Sequence, residues 1–395
     1  MELAAPLESQ PSWNPLRVTG TELAPNVLLA AKLIALCLLL TNHQARLPDE
    51  PFLPFLPFLD VLRAPFPFEV LVKGVFFGSA FALLFNRRVR ASALLLGGSI
   101  LLSVVASKAY YGNNKLFCGV FLLLAGLEKP GASPGLLRWQ LVIVYAGAAL
   151  NKWFDPDWRS GQFFDHWAGV RLETPLYLAL ASKLPPLVAG KIFCWATILT
   201  ETSLAIGFAF RRLWPYAVWL GLLFHASAMW FTGSTFTMFF YAMSASYLIF
   251  APWPRQPLTV IYDGDCGFCE KTRRFFERLD FDYVYRWAAF QTGVGERFGI
   301  ARRALEQRAH VVADGRVTSG YQAFKRLVWF NPVCYFAMAL LLTLPGDGDS
   351  AFRNWIWALT LFLFSPLANP FGERIYDWIA RNRHRLPGDK TCKVA

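Results

Sequence analysis

The sequence predicts a polytopic, all-α membrane domain of about eight transmembrane helices, followed by a small α/β domain. Three observations support this fold class. The chain of 395 residues is 55% hydrophobic and 16% aromatic, which is too apolar for an ordinary soluble protein. A series of apolar runs, most of them close to the 20 residues or so that cross a bilayer, extends to about position 252. Hydrophobicity falls and charge density rises after Trp253-Pro254-Arg255.

Eight apolar segments are predicted to cross the bilayer. They are 23–42, 67–86, 91–108, 115–128, 136–153, 186–210, 213–231 and 234–252. The first segment lacks a basic N-terminal region and a small-residue cleavage site, so we expect it to be retained. The predicted organisation is therefore an N-terminal segment, 1–22, a membrane domain, 23–255, and a C-terminal domain, 256–395.

The basic residues predict the orientation of the membrane domain. The formal charge of +12 comes largely from clusters that flank apolar runs, which membrane topology explains better than nucleic-acid binding does. The basic loops are those with Arg87, Arg88 and Arg90, with Lys129 and Arg138, and with Arg211 and Arg212. All fall on one side, and basic loops stay cytoplasmic. We therefore expect a bacterial inner-membrane protein with both termini and the C-terminal domain in the cytoplasm. The lipid bilayer is its expected partner.

The C-terminal domain alternates strand-like and helix-like runs, which predicts a small α/β sheet. The predicted elements are a strand at Leu258 to Tyr262, a helix at Glu270 to Leu279, a strand at Tyr283 to Trp287, a helix at Arg297 to Gln307 and a hairpin at His310 to Val317. Two later apolar runs, 332–345 and 352–368, are shorter than a comfortable span. We expect them to form membrane-docked or core helices, and a closing hairpin through the bilayer is the alternative.

Cys266 and Cys269 lie between the first predicted strand and the first predicted helix of this domain. At this spacing one thiolate can attack a disulfide while the second thiol resolves the mixed disulfide. A helix N-terminus also favours the thiolate of the first cysteine. We therefore predict Cys266 as the nucleophile and Cys269 as the resolving thiol.

Two other interpretations of the cysteine pair stay open. A zinc site needs two more ligands, and only His310, Cys334 and Cys392 are available, singly and far apart. Inert thiols at a tight turn are the structural alternative. The neighbouring carboxylate of Asp263 opposes a thiolate electrostatically, or serves as a proton acceptor, and we include it among the candidate catalytic residues.

Three ionisable residues mark the membrane domain. Glu201 and His225 lie within predicted spans, where ionisable groups are costly and usually face a bundle interior. Lys152 lies at the outer end of the fifth span. A lysine that reaches towards the interface, a histidine bonded to a neighbouring span, and a glutamate paired with either of them are the structural alternatives.

The segment Asp263-x-x-Cys266-x-x-Cys269 after a strand, with the closing segment Ile375-Tyr-Asp-Trp-Ile-Ala-Arg-Asn-Arg-His-Arg385, resembles the DCC family (DUF393) of predicted thiol-disulfide oxidoreductases. The resemblance spans about 257–388. It implies a thioredoxin-like fold for the α/β domain and dithiol-disulfide exchange as its reaction. The implied partner is an unidentified thiol protein or a small thiol.

The membrane domain resembles the HTTM family, the membrane portion shared with vitamin K-dependent γ-carboxylases. The segments are Tyr145-Ala-Gly-Ala-Ala-Leu-Asn-Lys152 through Asp157-Trp158-Arg-Ser-Gly161, Thr200-Glu201-Thr-Ser-Leu, and His225 followed by Phe236-Thr-Met-Phe-Phe240. The resemblance implies that Lys152 takes the position of the lysine that deprotonates reduced vitamin K. The large extracytoplasmic domain of the carboxylases has no counterpart here, so glutamate carboxylation is not expected.

Together these patterns predict a membrane-bound thiol-disulfide oxidoreductase. A lipid quinone near Lys152, Glu201 and His225 is the cofactor that the membrane domain suggests, and no metal is expected. Two other functions stay open. One is a non-catalytic transporter or scaffold with structural cysteines, and the other is a quinol-dependent modifying enzyme that uses the cysteine domain as its reductant.

Overall fold

The computed structural model describes residues 13–41, 65–106, 110–129, 133–232, 237–251, 253–343, 350–383 and 385–386. These residues fall into two compact units. The helical unit lies within Gly20–Ala251 and Thr343–Ala358. The sheet unit lies within Met1–Thr19, Pro252–Leu342 and Leu359–Ala395.

The helical unit contains a helix at the place of every predicted span. The helices are α1 Pro25–Leu40, α2 Pro65–Leu84, α3 Val89–Ala106, α4 Asn113–Leu127, α5 Gly135–Phe154, α6 Pro156–Ser160, α7 Gln162–Phe164, α8 Pro175–Ala181, α9 Val188–Ala209, α10 Trp214–Phe231 and α11 Thr237–Ser246. A π-helical segment, Asp165–Arg171, follows α7, and a 3-10 turn, Tyr247–Phe250, follows α11. The interior is apolar, with Leu28, Ile34 and Phe121 among the fully buried residues.

Three of the described helices are long and apolar enough to cross a membrane. They contain the segments Pro67–Leu84, Val89–Ala106 and Val188–Ala209. Shorter apolar helices occur at Pro25–Leu40, Asn113–Leu127, Met238–Phe250, Pro332–Leu341 and Trp355–Phe364. The structure therefore supports membrane-spanning helices, whereas a total of eight crossings stays a prediction.

The sheet unit is built on four strands in the order β2-β1-β3-β4. The strands are β1 Leu258–Tyr262, β2 Tyr285–Ala289, β3 His310–Ala313 and β4 Arg316–Ser319. Its helices are α12 Gly267–Arg278, α13 Val294–Arg297, α14 Arg302–Gln307, α15 Gly320–Trp329, α16 Pro332–Thr343 and α18 Asn369–Asn382. One further helix, α17 Ser350–Phe364, belongs to the helical unit up to Ala358 and to the sheet unit from Leu359. β1 pairs in parallel with β2 and antiparallel with β3, and β3 and β4 form the antiparallel hairpin.

Most predicted elements of the sheet unit are confirmed, but several of their boundaries were wrong. The first helix begins at Gly267 rather than at Glu270, and the hairpin ends at Ser319 rather than at Val317.

Two further boundary errors have a cause in the backbone conformation. The second strand begins at Tyr285 rather than at Tyr283, because Tyr283 has a φ of +55°, which a strand cannot accommodate. The helix predicted over Arg297 to Gln307 is two short helices. Gly299, with a φ of +71°, ends the first of them.

The core of the sheet unit lies between the sheet and the helices that pack on it. Leu258, Val260 and Val311 from the strands pack against Phe276 of α12 and Leu327 of α15. All five side chains are less than 9% exposed. This apolar layer supports the end of β1, after which the cysteine segment follows.

An N-terminal segment of the chain belongs to the sheet unit. The backbone N–H groups of Val18 and Thr19 donate to Oδ1 of Asp282 at 3.2 and 3.1 Å, and the Thr19 hydroxyl donates to the same atom at 2.7 Å. The Asp282 side chain is buried, and burial raises the pKa of its carboxyl while these donors lower it. These bonds join parts of the sheet unit that are 264 positions apart.

The two later apolar runs are helical, as predicted, and form α16 and α17. Both present large apolar side chains to the outside. Leu340 and Leu341 of α16 are 45% and 49% exposed, and Leu359 and Phe362 of α17 are 57% and 44% exposed.

Candidate functional site

The cysteine segment is a tight turn between β1 and α12. The backbone N–H of Cys266 donates to the carbonyl oxygen of Asp263 at 3.3 Å, and the N–H of Asp265 donates to Oδ1 of Asp263 at 3.1 Å. Cys266 is the residue that caps α12, and its Sγ accepts a hydrogen bond from the backbone N–H of Cys269 at 3.4 Å. The sulfur of Cys266 therefore lies at a helix N-terminus, where a negative charge is stabilised.

The two thiols differ in exposure and in proton affinity. Cys266 is fully buried at 0% exposure, whereas Cys269 is half-buried. The pKa of the Cys269 thiol is raised, first by its hydrogen bond to Cys266, then by burial and by the charge of Cys266. A thiol that donates to a neighbouring sulfur favours the thiolate on that neighbour, which in this pair is Cys266. The hydrogen bonds thus favour the predicted nucleophile, while exposure favours Cys269.

The carboxylate of Asp263 is paired with an arginine from the far end of the chain. Nη2 of Arg383, just after α18, lies 3.0 Å from Oδ2 of Asp263, and both side chains are 12% exposed. Nε2 of Gln291 donates to Oδ1 of Asp263 at 2.8 Å and to Oδ2 of Asp265 at 3.2 Å. Arg383 lowers the pKa of Cys269 and Asp263 raises it. Arg383 was not among the site residues predicted from the sequence, although it lies in the closing segment that ends at Arg385.

A second ion-pair cluster holds α18 beside the start of β3. Arg308 Nη1 lies 2.8 Å from Oε2 of Glu373, and Arg308 Nη2 contacts Oδ1 of Asp377. The backbone N–H of Ala309 donates to the Tyr376 hydroxyl at 3.0 Å. These contacts fix the C-terminal helix against the strand that pairs with β1.

Among the described residues, His310 and Cys334 form no metal-ligand cluster with the cysteine pair. In the ranges that the structure describes, no three side chains of His, Cys, Asp or Glu come together as metal ligands. His310 is buried at the start of β3, and burial lowers its pKa. Cys334 lies on α16, and Cys392 lies outside the described residues.

In the helical unit, Lys152 and Glu201 form an ion pair between α5 and α9. The Nζ of Lys152 lies 2.9 Å from Oε1 and 2.8 Å from Oε2 of Glu201, and the two side chains are 16% and 10% exposed. The same Nζ lies 4.9 Å from the centre of the Trp158 ring. Glu201 therefore pairs with the lysine, which is one of the two partners predicted for it, and not with His225.

A close approach of two backbones places Trp158 in this cluster. Gly161 follows α6 with a φ of +92°, and a Cβ there would lie 2.4 Å from the backbone nitrogen of Lys191. A Cβ at Gly190 would lie 2.3 Å from the carbonyl oxygen of Gly161. Only glycine fits both positions, so the turn after Trp158 packs directly on α9.

His225 belongs to a different hydrogen-bonded group. Its Nε2 lies 2.7 Å from the Tyr145 hydroxyl, and that hydroxyl also contacts the hydroxyl of Tyr247. All three side chains are buried. Tyr145 lies two helical turns before Lys152, so both groups are on one face of α5. Neither tyrosine was predicted from the sequence as a site residue, although Tyr145 opens the segment that ends at Lys152.

One unit has apolar helices long enough to cross a membrane, and the other has a cysteine pair whose first member caps a helix. These features define a membrane protein with a thiol-redox domain. Residues 127–253 match the HTTM domain family, and residues 260–353 match the DCC1-like thiol-disulfide oxidoreductase family. The two matches lie in the order that the motifs predict, with the HTTM match before the DCC1-like match. The second match includes both cysteines and ends before Arg383. No curated protein and no solved structure matches the chain.

Proposed function

We propose that the chain is a membrane-bound thiol-disulfide oxidoreductase that uses Cys266 and Cys269. The main supporting observation is the Sγ of Cys266 at the start of α12, with the Cys269 N–H donating to it at 3.4 Å. The Cys266 thiolate attacks a substrate disulfide, forms a mixed disulfide and releases one substrate thiolate. The Cys269 thiolate then attacks Cys266 and releases the second. The substrate gains two electrons, the pair becomes a disulfide, and the reverse sequence oxidises a dithiol.

The topology of the sheet unit supports a thioredoxin-like fold for the redox domain. β1, α12 and β2 form a parallel β-α-β unit, and the cysteine pair lies where the first strand passes into the helix. A C-x-x-C pair beside such a unit is the pattern of thioredoxin-like redox sites. The antiparallel hairpin of β3 and β4 completes the sheet on the other side of β1.

The contacts of the N-terminal segment support the proposed topology. Val18 and Thr19 bind Asp282, so the chain before Gly20 and the redox domain lie on the same side of a membrane. The number of crossings within Gly20–Ala251 is then even. If all three long apolar helices cross, at least one further helix crosses with them, because three is an odd number. Eight crossings satisfy this condition, and the basic loops favour the cytoplasmic face of a bacterial inner membrane.

The proposed domain boundaries are 1–22, 23–255 and 256–395. The two family matches support a boundary near 255, since one ends at 253 and the other begins at 260. The exposed apolar side chains of α16 and α17 support the proposal that 332–345 and 352–368 dock on the bilayer. A spin label at Leu359 would then be accessible to oxygen dissolved in lipid, unlike a label at Lys271, which is exposed on α12.

We also propose that the membrane domain holds a lipid quinone near Lys152, Glu201 and His225. The ammonium and the carboxylate offer a donor and an acceptor at one place, and the Trp158 ring offers an aromatic face. A quinone would supply a two-electron acceptor for the reduced cysteine pair. By the proposed topology Lys152 faces the opposite side from the cysteines, so such a quinone has to cross the bilayer.

A quinol-dependent modifying enzyme is the second candidate function. The Lys152–Glu201 contact favours it, because the Glu201 carboxylate, 2.8 Å away, can accept the proton that Lys152 has to lose before it acts as the base that the HTTM resemblance names. In this case Lys152→Ala abolishes product formation in a folded protein, while Cys266→Ser removes only the supply of electrons.

A redox titration tests the main proposal. Membranes with the full chain are poised at a series of potentials, and free thiols are trapped with an alkylating reagent that does not cross the bilayer. We expect a reversible two-electron couple, which is lost in Cys266→Ser and kept in the matched control Cys334→Ser. Thiols that never pair at any potential would favour a scaffold with structural cysteines.

A further inference from the structure

Arg383 joins the C-terminal end of the chain to the cysteine turn. Its Nη2 donates to Oδ2 of Asp263 at 3.0 Å and to the carbonyl oxygen of Glu306 at 2.6 Å. The Nε of Arg383 is buried, and no described residue accepts a hydrogen bond from it. Arg383 and Asp263 are 120 positions apart in the chain. The guanidinium of Arg383 is therefore held at the cysteine turn, and its Nε–H has no acceptor among the described residues.

We propose that Arg383 is a positioning residue for the cysteine pair, which holds the Asp263 turn in place and stabilises the Cys269 thiolate when it resolves a mixed disulfide. This inference rests on the proposed thiol-disulfide exchange. It assigns a role to a residue outside the segment that matches the DCC1-like family.

The hydrogen bonds of Asp263 explain the positioning role. Its carbonyl oxygen accepts from the Cys266 N–H, and its Oδ1 accepts from the Asp265 N–H and from Gln291. Arg383 supplies the opposite charge that this largely buried carboxylate needs. Removal of one partner from such a pair leaves an uncompensated charge, which the turn then has to accommodate by moving or by admitting water.

The resolving step explains the electrostatic role. In the mixed disulfide the Cys266 sulfur is bonded to the substrate, so it no longer has a thiolate that holds the S–H of Cys269. Cys269 must then lose its proton to water and attack Cys266, which breaks the bond between Cys266 and the substrate sulfur, and the departing substrate thiolate takes up a proton from water. Asp263 opposes this ionisation and Arg383 favours it, as the direction of their effects on the pKa of Cys269 indicates. The guanidinium thus offsets the carboxylate at the moment when the second thiolate forms.

Arg381 provides a matched control. It lies in the last turn of α18 and is exposed, and its Nε donates to the carbonyl oxygen of Asp377 within the same helix at 3.2 Å. Arg381→Gln removes the same charge from the same segment. It leaves the pair between Arg383 and Asp263 intact.

The test measures how the alkylation rate of Cys269 depends on pH. The full chain with Cys266→Ser is purified in detergent, and iodoacetamide addition to Cys269 is followed by mass spectrometry. We expect Arg383→Gln to shift the profile to higher pH and to slow the reaction near neutral pH by about threefold or more, since a shift of half a pKa unit changes the thiolate fraction by that factor. Arg381→Gln should leave the profile unchanged.

Further variants separate charge from folding. Arg383→Lys keeps the charge and should retain most of the profile, although it loses the planar fork of the guanidinium. The double variant Asp263→Asn, Arg383→Gln removes both charges and leaves neither unpaired. Its alkylation profile should lie between those of Arg383→Gln and the parent chain. An unchanged profile in Arg383→Gln, or the same shift in Arg381→Gln, overturns the role of Arg383. Absence of any Cys266–Cys269 disulfide in the parent chain instead overturns the proposed function, and the alkylation profile still decides the effect of Arg383.

Discussion

The Nζ of Lys152 contacts both carboxylate oxygens of Glu201, at 2.9 and 2.8 Å, across the interface of α5 and α9. The pair joins two helices whose sequences are otherwise mostly apolar. It also brings together two candidate site residues from different predicted spans: Lys152 at the end of one span and Glu201 within another. The pair is therefore a structural link between helices as well as a candidate quinone site.

Loss of one member of this pair should destabilise the helical unit. We expect Glu201→Gln to lower its unfolding free energy by up to about 3 kcal/mol, because an unpaired ammonium remains in a largely buried place. The double variant Lys152→Met, Glu201→Leu should recover most of this loss, since it leaves no charge unpaired. Denaturant titration in detergent micelles measures both variants. Equal losses in the single and double variants would contradict the pairing.

The two cysteines should behave differently towards a disulfide substrate. With Cys269→Ser we expect a mixed disulfide to accumulate on Cys266, because the resolving thiol is absent. With Cys266→Ser little mixed disulfide should form, since burial still raises the pKa of the remaining Cys269 thiol. Mass spectrometry after reaction with a small aromatic disulfide counts the adducts. Accumulation only in Cys266→Ser would reverse the order and make the more exposed sulfur the nucleophile.

Glu270 in the first turn of α12 should contribute acid-sensitive stability. Its pKa is lowered to about 2, mainly by the hydrogen bond from Arg273, with a further contribution from Arg274. A carboxyl with a lowered pKa in the folded state stabilises the fold above its ordinary pKa of 4.5, and this stability is lost as pH falls towards 2. Tryptophan fluorescence during unfolding between pH 6 and about 2.5 should show a weaker acid dependence for Glu270→Gln. Arg273→Gln should weaken it similarly, and an unchanged slope in both variants would contradict the assignment.

The N-terminal segment and the redox domain should be accessible from the same side of the membrane. Cysteines introduced at Trp13 and at Phe281, which are 64% and 44% exposed, should both react with an impermeant reagent in inside-out vesicles and in neither case in right-side-out vesicles. The reason is that Val18 and Thr19 bind Asp282 directly. Labelling of the two positions from opposite faces would make the number of crossings odd and would refute the shared-side topology.

The bonds to Asp282 should also matter for stability. Asp282→Ala removes the acceptor of three hydrogen bonds, two from backbone N–H groups and one from the Thr19 hydroxyl. We expect a loss of about 1 to 3 kcal/mol in the sheet unit, because buried donors are left without an acceptor. Thermal unfolding followed by fluorescence measures the loss. Thr19→Val removes only the hydroxyl and should cost less, and the opposite ranking would contradict the proposed role of the backbone bonds.

Local sequence patterns were sufficient for much of the fold. Apolar runs predicted helices at all eight expected places, because length and hydrophobicity determine a helix that can enter a bilayer. β1, with bounds Leu258–Tyr262, was predicted correctly, since a short apolar run before a turn is a local signal. The start of β2 was predicted wrongly, because Tyr283 has a left-handed backbone conformation. The packing around a non-glycine residue imposes that conformation, and the local sequence does not signal it.

The sequence by itself determined where the chemistry is: a cysteine pair between a strand and a helix, and three ionisable residues in an apolar domain. Only the tertiary structure decided which groups meet. It pairs Asp263 with Arg383, Glu201 with Lys152, and His225 with Tyr145. Residue spacing cannot predict such pairs, because a hydrogen bond or ion pair requires two polar groups to lie within about 3 Å. For residues far apart in the chain, that distance is set by how helices and strands pack.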